Sequence, residues 1–280
     1  MQLIIQAAVL GIVQGLTEFL PISSSGHLIL VRELLGWELL ADPHWNTIFD
    51  VSLHAGTFLA LLLYFWSDIL RLLRAFGGSL RYGIAGDSDR RLAWLILIGT
   101  IPAAIAGTLG ESAIEDIFRQ APKLIASLLV VFGIVLWLAE GRGAKTRELR
   151  EAGWWDGVLV GLAQTLSLAP GVSRSGITMT AGLARGMTRE TAARFSFLLC
   201  IPIIGGTALH SLLSAVRDLA ALPERSCAVF GVGFLAAAVS GYLCIRYFLR
   251  YLQTRGLTPF VLYRIAAGLG LLALLTFAAR

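Results

Sequence analysis

Long stretches without a charged residue recur along the 280-residue chain. Four of them approach the ~20 residues that a helix needs to cross a ~30 Å hydrocarbon core. They lie at residues 92–110, 124–139, 195–216 and 226–245. With two further apolar segments they predict six transmembrane helices, over residues 48–66, 92–110, 123–140, 195–215, 228–248 and 259–279. The pattern therefore predicts an all-α integral membrane protein.

Short connections between the apolar segments carry three groups of basic residues. The groups are Arg71, Arg74, Arg81, Arg90 and Arg91, then Arg142, Lys145, Arg147 and Arg150, then Arg246, Arg250 and Arg255. One further connection is acidic, with Glu111, Glu115 and Asp116. Basic connections stay in the cytoplasm. On this basis each half has three predicted helices, and each helix of the first half runs in the direction opposite to the corresponding helix of the second half. This orientation is typical of an inverted-topology repeat, here residues 1–150 and 151–280.

Two apolar regions, residues 3–36 and 154–186, remain outside the six spans. The second has arginines at both ends, so we expect it to enter from the cytoplasm and return there. Inverted symmetry then makes the first enter and return from the outside. Pro21 and Pro170 stand at their midpoints, where proline stops a helix. We therefore expect two re-entrant helical hairpins whose tips meet around a cavity near the bilayer midplane.

An internal match supports the repeat. Residues 11–14, Gly-Ile-Val-Gln, correspond at an offset of 150 to residues 161–164, Gly-Leu-Ala-Gln. The same offset places three residues of the first hairpin on identical residues of the second. The pairs are Ser23 with Ser173, Ser25 with Ser175, and Gly26 with Gly176.

Composition agrees with a membrane protein and excludes a water-soluble globule. Hydrophobic residues make up 56% of the chain and charged residues 15%, whereas soluble domains carry about 25% charged residues. The mean hydropathy is +0.75. The net charge is +5, but the basic residues lie in short connections, so we expect no nucleic-acid partner. Cys200, Cys227 and Cys244 lack metal-ligand spacing and are predicted to be buried structural thiols.

The two hairpin tips hold the polar residues that point to chemistry. They are Gln14, Glu18, Ser23, Ser24, Ser25 and His27 in the first tip, and Gly171, Ser173, Arg174, Ser175 and Gly176 in the second. Glu18 is the lone carboxylate of residues 1–31, and an ionisable group at membrane depth costs about 2.5 to 3.5 kcal/mol or more, which marks function. A structural salt bridge to an arginine of the other hairpin is the alternative. Gln14, one helical turn earlier, can bind the same ligand or orient Glu18.

Arg174 stands between two serines in a glycine-flanked turn. Its planar guanidinium suits bidentate phosphate binding. Ser173, Ser175 and the amides at the start of the next helix add donors, and the helix dipole favours an anion. The alternative is a positive-inside residue whose side chain extends to the cytoplasm.

His27 and the serine run supply candidate proton carriers and nucleophiles. The ordinary pKa of histidine, about 6.5, lets His27 hold or pass a proton at neutral pH. Ser24 and its neighbours offer hydroxyl nucleophiles, with His27 and Glu18 as bases. The serines can equally pack helices or bind phosphate without covalent chemistry, and the sequence leaves this open.

Other polar residues within the apolar segments are given structural roles. These are His54 and His210 in predicted spans and Asp50 near a predicted interface. His44 is predicted to lie in a loop.

One acid, one histidine, several hydroxyls and one arginine in a membrane cavity indicate phosphate chemistry on a lipid, whose tail can stay in the bilayer. Arginine and amides would stabilise charge on phosphoryl oxygens while a serine or water attacks. A lipid transporter is the alternative, because inverted repeats with broken helices are typical of transporters. A non-catalytic scaffold would leave Glu18 and Arg174 without a role.

The chain resembles the undecaprenyl-diphosphate phosphatase (bacitracin-resistance) family over nearly its whole length. The resemblance rests on four motifs. They are residues 14–21 QGLTEFLP, residues 23–27 SSSGH, residues 170–176 PGVSRSG, and residues 195–199 FSFLL followed by Ile201-Pro202. It implies hydrolysis of a polyprenyl diphosphate to the monophosphate, which recycles the lipid carrier for cell-wall polymers and confers bacitracin resistance.

The resemblance also implies roles for individual residues. Ser24 matches the proposed nucleophile, His27 the essential histidine, and Arg174 the phosphate-binding arginine. Gln14 and Glu18 match a Glu/Gln-x-x-x-Glu element, and many members have glutamate where this chain has Gln14. A divalent cation, Mg²⁺ or Ca²⁺, is implied, with Glu18 as the carboxylate that binds it.

The resemblance implies a cellular setting as well. It places the protein in a bacterial plasma (inner) membrane, with the active site open to the extracytoplasmic side. The expected partners are the polyprenyl diphosphate lipid and membrane lipids, and a homodimer is left open.

Overall fold

The computed structural model describes residues 1–37, 43–119, 121–219 and 226–277. Its regular structure is built of α-helices, as the hydrophobic pattern predicts, with two short 3-10 helices at Leu149–Glu151 and Leu166–Leu168. In chain order the helices are α1 Gln2–Phe19, α2 Ser24–Leu35, α3 Pro43–Tyr64, α4 Trp66–Tyr82, α5 Ser88–Arg119, α6 Pro122–Arg142, α7 Trp154–Thr165, α8 Arg174–Ala184, α9 Arg189–Leu219, α10 Ser226–Leu252 and α11 Thr258–Phe277.

Seven helices within the described ranges are long and apolar enough to cross a bilayer. Six of them, α3, α5, α6, α9, α10 and α11, coincide with the six predicted spans. The seventh is α1, the first helix of the hairpin predicted at residues 3–36. Helices α2, α7 and α8 have 12, 12 and 11 residues, too few for the ~20 that a crossing requires. The chain is an all-α, multi-pass integral membrane protein, and its division into inverted repeats stays a prediction.

Helix α4 occupies a stretch where the charge pattern predicts only a basic connection. Its apolar residues recur at helical spacing at Ile69, Leu72, Leu73, Phe76 and Leu80. Leu72 is buried against the bundle while Arg71 and Arg74 are exposed. An amphipathic helix of this kind lies along a membrane surface with its charges in water. Arg71 and Arg74, which suggest a loop in the sequence, therefore lie on the exposed polar face of a helix.

Two smaller predictions differ from the structure. Cys200 and Cys244 are buried as predicted, but Cys227 is exposed, because it lies on the outward side of α10. His44 is predicted in a loop and lies in the first turn of α3, since Pro43 is well suited to begin a helix. The side chains of His44 and His210 lie outside the described part of the structure.

Glycine contacts join helices of the two halves. Helix α1 packs on α10, where a Cβ added to Gly11 would lie 2.4 Å from the Gly233 carbonyl oxygen. Helix α7 packs on α5, where a Cβ added to Gly161 would lie 2.5 Å from the Gly99 Cα. Small residues let helix backbones approach closely in membranes. Two glycines that the sequence matches at an offset of 150 thus make the same type of contact.

Asp156, a fully buried residue in the first turn of α7, holds the base of the second hairpin. Its carboxylate accepts hydrogen bonds from Arg147 at 3.2 and 2.7 Å, from Arg185 Nε at 2.7 Å and from the Gly153 amide at 2.8 Å. Burial raises the pKa of Asp156, but the hydrogen bonds led by that of Arg147 outweigh burial and hold the pKa below its usual value. The network fixes where α7 begins and where α8 ends.

We expect Asp156→Asn to lower the free energy of unfolding by roughly 3 kcal/mol at neutral pH, because two arginines lose their anion. A pKa depressed in the folded state gives stability that is present above the unfolded pKa, about 3.9, and lost as pH falls through the folded pKa. In detergent, the difference in unfolding midpoint between variant and wild type should stay constant near neutral pH and shrink only below about pH 4. A difference that already shrinks above about pH 5 would contradict this assignment.

Candidate active site

The tips of the two hairpins meet in the structure. The first tip is the turn of residues 20–23 between α1 and α2, and the second is the turn of residues 169–173 before α8. Ser175 Oγ donates a 2.9 Å hydrogen bond to the Leu20 carbonyl, which joins the second tip to the first. Polar side chains of both tips therefore border one shared space.

Arg264 of α11 ties both tips to the protein core. It is 1% exposed, and its guanidinium donates to four backbone carbonyls. Nε donates to Leu129 at 3.3 Å, Nη1 to Pro21 at 3.2 Å, and Nη2 to Gly171 and Val172 at 2.8 and 2.9 Å. A buried carbonyl without a partner is costly, and the Pro21, Gly171 and Val172 carbonyls lie in turns outside the helices. One side chain therefore satisfies turn carbonyls of both hairpins.

Each tip ends in a serine with a positive φ, +76° at Ser23 and +71° at Ser173. Residues with a side chain hold this conformation only where the surroundings enforce it. Ser173 is the N-cap of α8, and its Oγ accepts a 3.2 Å hydrogen bond from the Gly176 amide. Ser23 and Ser25 hydroxyl oxygens lie 3.4 Å apart, and those of Ser173 and Ser175 lie 3.2 Å apart. The tips thus share a backbone shape and a serine pair at matched positions.

Glu18 and Gln14 stand one helical turn apart near the end of α1, and both are buried. Gln14 Nε2 donates to Glu18 Oε2 at 3.1 Å, and Ser24 Oγ donates to the same oxygen at 2.6 Å. A carboxylate this close to a hydroxyl can accept its proton as the oxygen attacks. Gln14 therefore orients a carboxylate that faces a candidate nucleophile.

Arg174 is the first residue of α8 and points toward Glu18. Its Nη1 lies 3.8 Å from Glu18 Oε1, too far for a hydrogen bond. Nη1 is buried and has no hydrogen-bond partner in the described part of the structure. The guanidinium thus keeps a free donor at the start of a helix, where amides and the helix dipole also favour a phosphate.

His27 lies behind the first tip. Its Nδ1 donates to the Ser23 carbonyl at 2.6 Å, because a carbonyl can only accept. Its Nε2 lies 2.8 Å from the Tyr263 hydroxyl, and the two rings are stacked. Both ring nitrogens are therefore engaged with protein, and the hydrogen bond to Ser23 supports that residue in its positive-φ conformation.

His54 of α3, for which the sequence favours a structural role, faces the shared space. Its Nδ1 lies 3.0 Å from Gln14 Nε2 and 3.8 Å from Glu18 Oε2. Because an amide NH₂ only donates, Nδ1 is the acceptor, and the proton of the neutral ring lies on Nε2. The side chain is 39% exposed. Asp50, the other residue given a structural role in this segment, forms a bidentate ion pair with Arg32.

These side chains border a cavity of about 220 Å³, here called the tip cavity. It is lined by Glu18, Ser23, Ser24, Ser25, His54, Ser167, Leu168, Ala169, Pro170, Ser173 and Arg174. Six predicted site residues are in this lining. The other five, which lie behind it, are Gln14, His27, Gly171, Ser175 and Gly176. Their contact with a substrate stays a prediction, and the structure shows them supporting the wall.

A divalent cation at Glu18 is expected from the resemblance. Among the described residues, no group of three or more His, Cys, Asp and Glu side chains is placed to hold a metal ion. Glu18 is the one carboxylate among the described residues that line the tip cavity, and Gln14 Oε1 beside it is buried without a partner. Mg²⁺ is commonly bound through one or two carboxylates plus substrate phosphates. The residues therefore fit a cation that arrives with a phosphate ligand.

The chain matches a known protein family over almost its whole length. A family model described as bacitracin resistance protein BacA matches residues 7–270, which include both tips and the whole tip cavity. The chain belongs to the bacitracin resistance protein BacA family.

Relatives of this BacA family chain carry the name undecaprenyl-diphosphatase. The protein of Geotalea daltonii is 46% identical over 272 residues, covering 97% of this chain and 98% of the relative. That of Thermomicrobium roseum is 47% identical over 280 residues, covering 98% of each chain. That of Geobacter sulfurreducens is 48% identical over 272 residues, covering 97% of this chain and 98% of the relative. The family predicted from the tip motifs is thereby confirmed.

Three residues of the site were missed by the sequence analysis. Arg264 breaks the apolar segment 259–279, and a charge inside a span is itself a signal of function. His54 likewise lies in a span, but its neighbours gave no sign of what it faces. Tyr263 meets His27 across 236 positions of sequence, a contact that local patterns do not contain.

We expect Arg264→Met to lower the unfolding midpoint in detergent strongly, by at least about 3 kcal/mol of unfolding free energy, because several buried carbonyls lose their donor. Arg74→Met, at an exposed arginine of α4, is the matched control and should leave the midpoint unchanged. Wild-type stability of Arg264→Met would show that water or other groups satisfy the tips instead.

Proposed function

We propose that this chain hydrolyses undecaprenyl diphosphate to undecaprenyl phosphate and inorganic phosphate within the membrane, recycling the lipid carrier for cell-wall synthesis. The relatives support this substrate through their name and nearly complete coverage. One observation carries the proposal at the level of chemistry. Ser24 donates to the Glu18 carboxylate at 2.6 Å beside the free Nη1 of Arg174, so nucleophile, base and anion donor share one wall.

Phosphate binding falls to the second tip. Arg174 provides a free donor and a positive charge, and it is the first residue of α8, where the helix dipole favours an anion. The same groups stabilise charge on the phosphoryl oxygens in the transition state. Ser173 extends this set, since its hydroxyl lines the tip cavity.

In this proposal, Ser24 of the first hairpin attacks phosphorus and Glu18 acts as the base. Ser24 Oγ forms a bond to the terminal phosphorus while its proton passes to Glu18, and the bond from phosphorus to the bridging oxygen breaks. The prenyl monophosphate leaves with that bonding electron pair and takes the proton from Glu18. Water then attacks the phosphoserine, Glu18 accepts the water proton, and phosphate leaves as Ser24 Oγ recovers a proton. Direct attack by water, with Ser24 as a phosphate ligand, is the alternative left by the sequence.

A divalent cation, Mg²⁺ or Ca²⁺, is part of the proposal. Glu18 would hold it together with oxygens of the diphosphate, and when bound it neutralises phosphate charge. Gln14 cannot add a second carboxylate, so among the described residues that line the cavity Glu18 alone carries a negative charge.

We also propose a plasma-membrane location with the tip cavity open to the extracytoplasmic side. The arginines around Asp156 at the base of the second hairpin support a cytoplasmic base, and thus a tip directed away from the cytoplasm. Transport without hydrolysis remains the second candidate by fold alone. The Ser24–Glu18 hydrogen bond favours hydrolysis, because a transporter has no use for a nucleophile beside a base.

We expect purified wild-type protein in detergent to release phosphate from undecaprenyl diphosphate in a steady reaction supported by Mg²⁺ or Ca²⁺. Arg174→Ala and Glu18→Gln should each reduce kcat/KM by at least about 100-fold, since each removes transition-state stabilisation or the base. Phosphate release and the unfolding midpoint are measured on the same samples.

Arg74→Ala and Glu148→Gln serve as matched controls at exposed positions, with expected activity equal to wild type. A folded wild type that releases no phosphate under any cation condition would overturn the proposed function. Movement of intact lipid across vesicles by such a protein would then identify a transporter.

The covalent route predicts a phosphorylated Ser24. Rapid acid quenching during turnover should yield a phosphopeptide at Ser24, detected by mass spectrometry, and Ser24→Ala should abolish both the phosphopeptide and steady turnover. Turnover by Ser24→Ala within about tenfold of wild type would instead assign the attack to water.

A further inference from the structure

A second cavity adjoins the tip cavity between α3 and α9. It has a volume of about 100 Å³ and is lined by Val51, His54, Arg174, Ile204, Thr207 and Ala208. We call it the α3/α9 groove. His54 and Arg174 line both the groove and the tip cavity, so the two cavities are adjacent.

The groove lies next to a close contact between α3 and α9. At Gly205 the helices are in contact, since an added Cβ would lie 2.9 Å from the Phe58 ring. At the next residue, Gly206, an added Cβ would meet no atom within 4 Å. A glycine inside a helix costs about 1 kcal/mol relative to alanine, so two in succession are unfavourable for the helix alone. Gly205 therefore serves the close contact of α9 with Phe58 of α3, and α9 lines the adjoining groove with Ile204, Thr207 and Ala208.

Polarity changes along the groove. Its inner end has the charged Arg174 and the ring of His54, whereas Val51, Ile204 and Ala208 offer hydrocarbon. The Thr207 hydroxyl donates to the Ile203 carbonyl at 3.0 Å, so its hydrogen-bond donor is satisfied within α9. A cationic inner end and an apolar outer part match a ligand with an anionic head and a hydrocarbon tail.

The direction of the groove follows from the two helices. Val51 lies on the N-terminal side of His54 in α3, and Ala208 lies far along α9 from Arg189 and Arg194. The groove thus runs away from the basic end of α9, which the positive-inside rule places in the cytoplasm. It leads from the tip cavity toward the outer half of the membrane.

We propose that the α3/α9 groove is the binding subsite for the first isoprene units of the substrate and the path by which its chain reaches the outer leaflet. This rests on the proposed function, because the diphosphate must occupy the tip cavity for the chain to leave there. The groove then selects for a prenyl chain, while the tip cavity reads only the diphosphate. The remainder of the chain lies among membrane lipids.

The test is a bulky side chain in the groove, measured with a long and a short substrate. Ala208→Trp should reduce kcat/KM for undecaprenyl diphosphate by about tenfold or more, through KM, because the added ring fills the groove. With isopentenyl diphosphate, whose single isoprene unit needs little of the groove, the same variant should stay within about twofold of wild type.

Leu209→Trp is the matched control, since Leu209 is the next residue of α9, is 59% exposed and does not line the groove. It should behave as wild type with both substrates. Equal losses on both substrates by Ala208→Trp, or no loss on either, would overturn the groove. Absence of phosphate release by wild type would instead overturn the proposed function and leave the groove to be judged by binding.

Binding is judged by photocrosslinking, which needs no turnover. An undecaprenyl phosphate with a diazirine near its head group should label peptides containing Val51 or Ile204. Ala208→Trp should remove this labelling, and Leu209→Trp should keep it. Labelling that is confined to other helices, such as the exposed face of α10, would refute the subsite whatever the activity shows.

Discussion

The site depends on one buried arginine. The two tips are the places where the hairpin backbone is not helical, and the buried Pro21, Gly171 and Val172 carbonyls there accept from Arg264. Arg264 supplies donors to both tips and to α6 at once, from a helix that belongs to neither hairpin. Burying its charge is costly, and four carbonyl dipoles offset that cost. Together with the Ser175–Leu20 hydrogen bond, Arg264 fixes the position of one tip relative to the other.

Around Arg264, residues of the cavity wall are held by residues behind the wall. Gln14 orients Glu18, His27 binds the backbone of Ser23, and the Gly176 amide donates to Ser173 Oγ. This division explains why the tip motifs are longer than the set of side chains that reach the cavity. It also sets Arg174 beside Glu18 as an ion pair at 3.8 Å, with a guanidinium nitrogen that has no hydrogen-bond partner in the described structure and is left for a phosphate oxygen.

The sequence predicts the spans well because a membrane helix is an uncharged run of fixed length, a property of neighbouring residues. The tips can also be predicted from neighbouring residues, because Pro21 and Pro170 each stand beside a group of polar residues. Helix α4 escapes this reasoning, since its arginines alternate with apolar residues and only the helical period separates them. Arg264 and Tyr263 lie inside an apparently ordinary span, and their importance comes from partners more than 90 positions away along the chain. The sequence places His54 in a span, but it does not predict that the side chain faces the tip cavity.

The position of Arg264 in α11 has a consequence for biogenesis. A ribosome makes both hairpins before it makes α11, so several of their turn carbonyls lack the Arg264 donors until α11 has been made. Until α11 inserts, the half-made protein must keep those groups hydrated or held by the insertion machinery. We therefore expect the nascent chain to stay vulnerable to membrane proteases until its last described helix docks, and catalytic geometry to arise late in assembly.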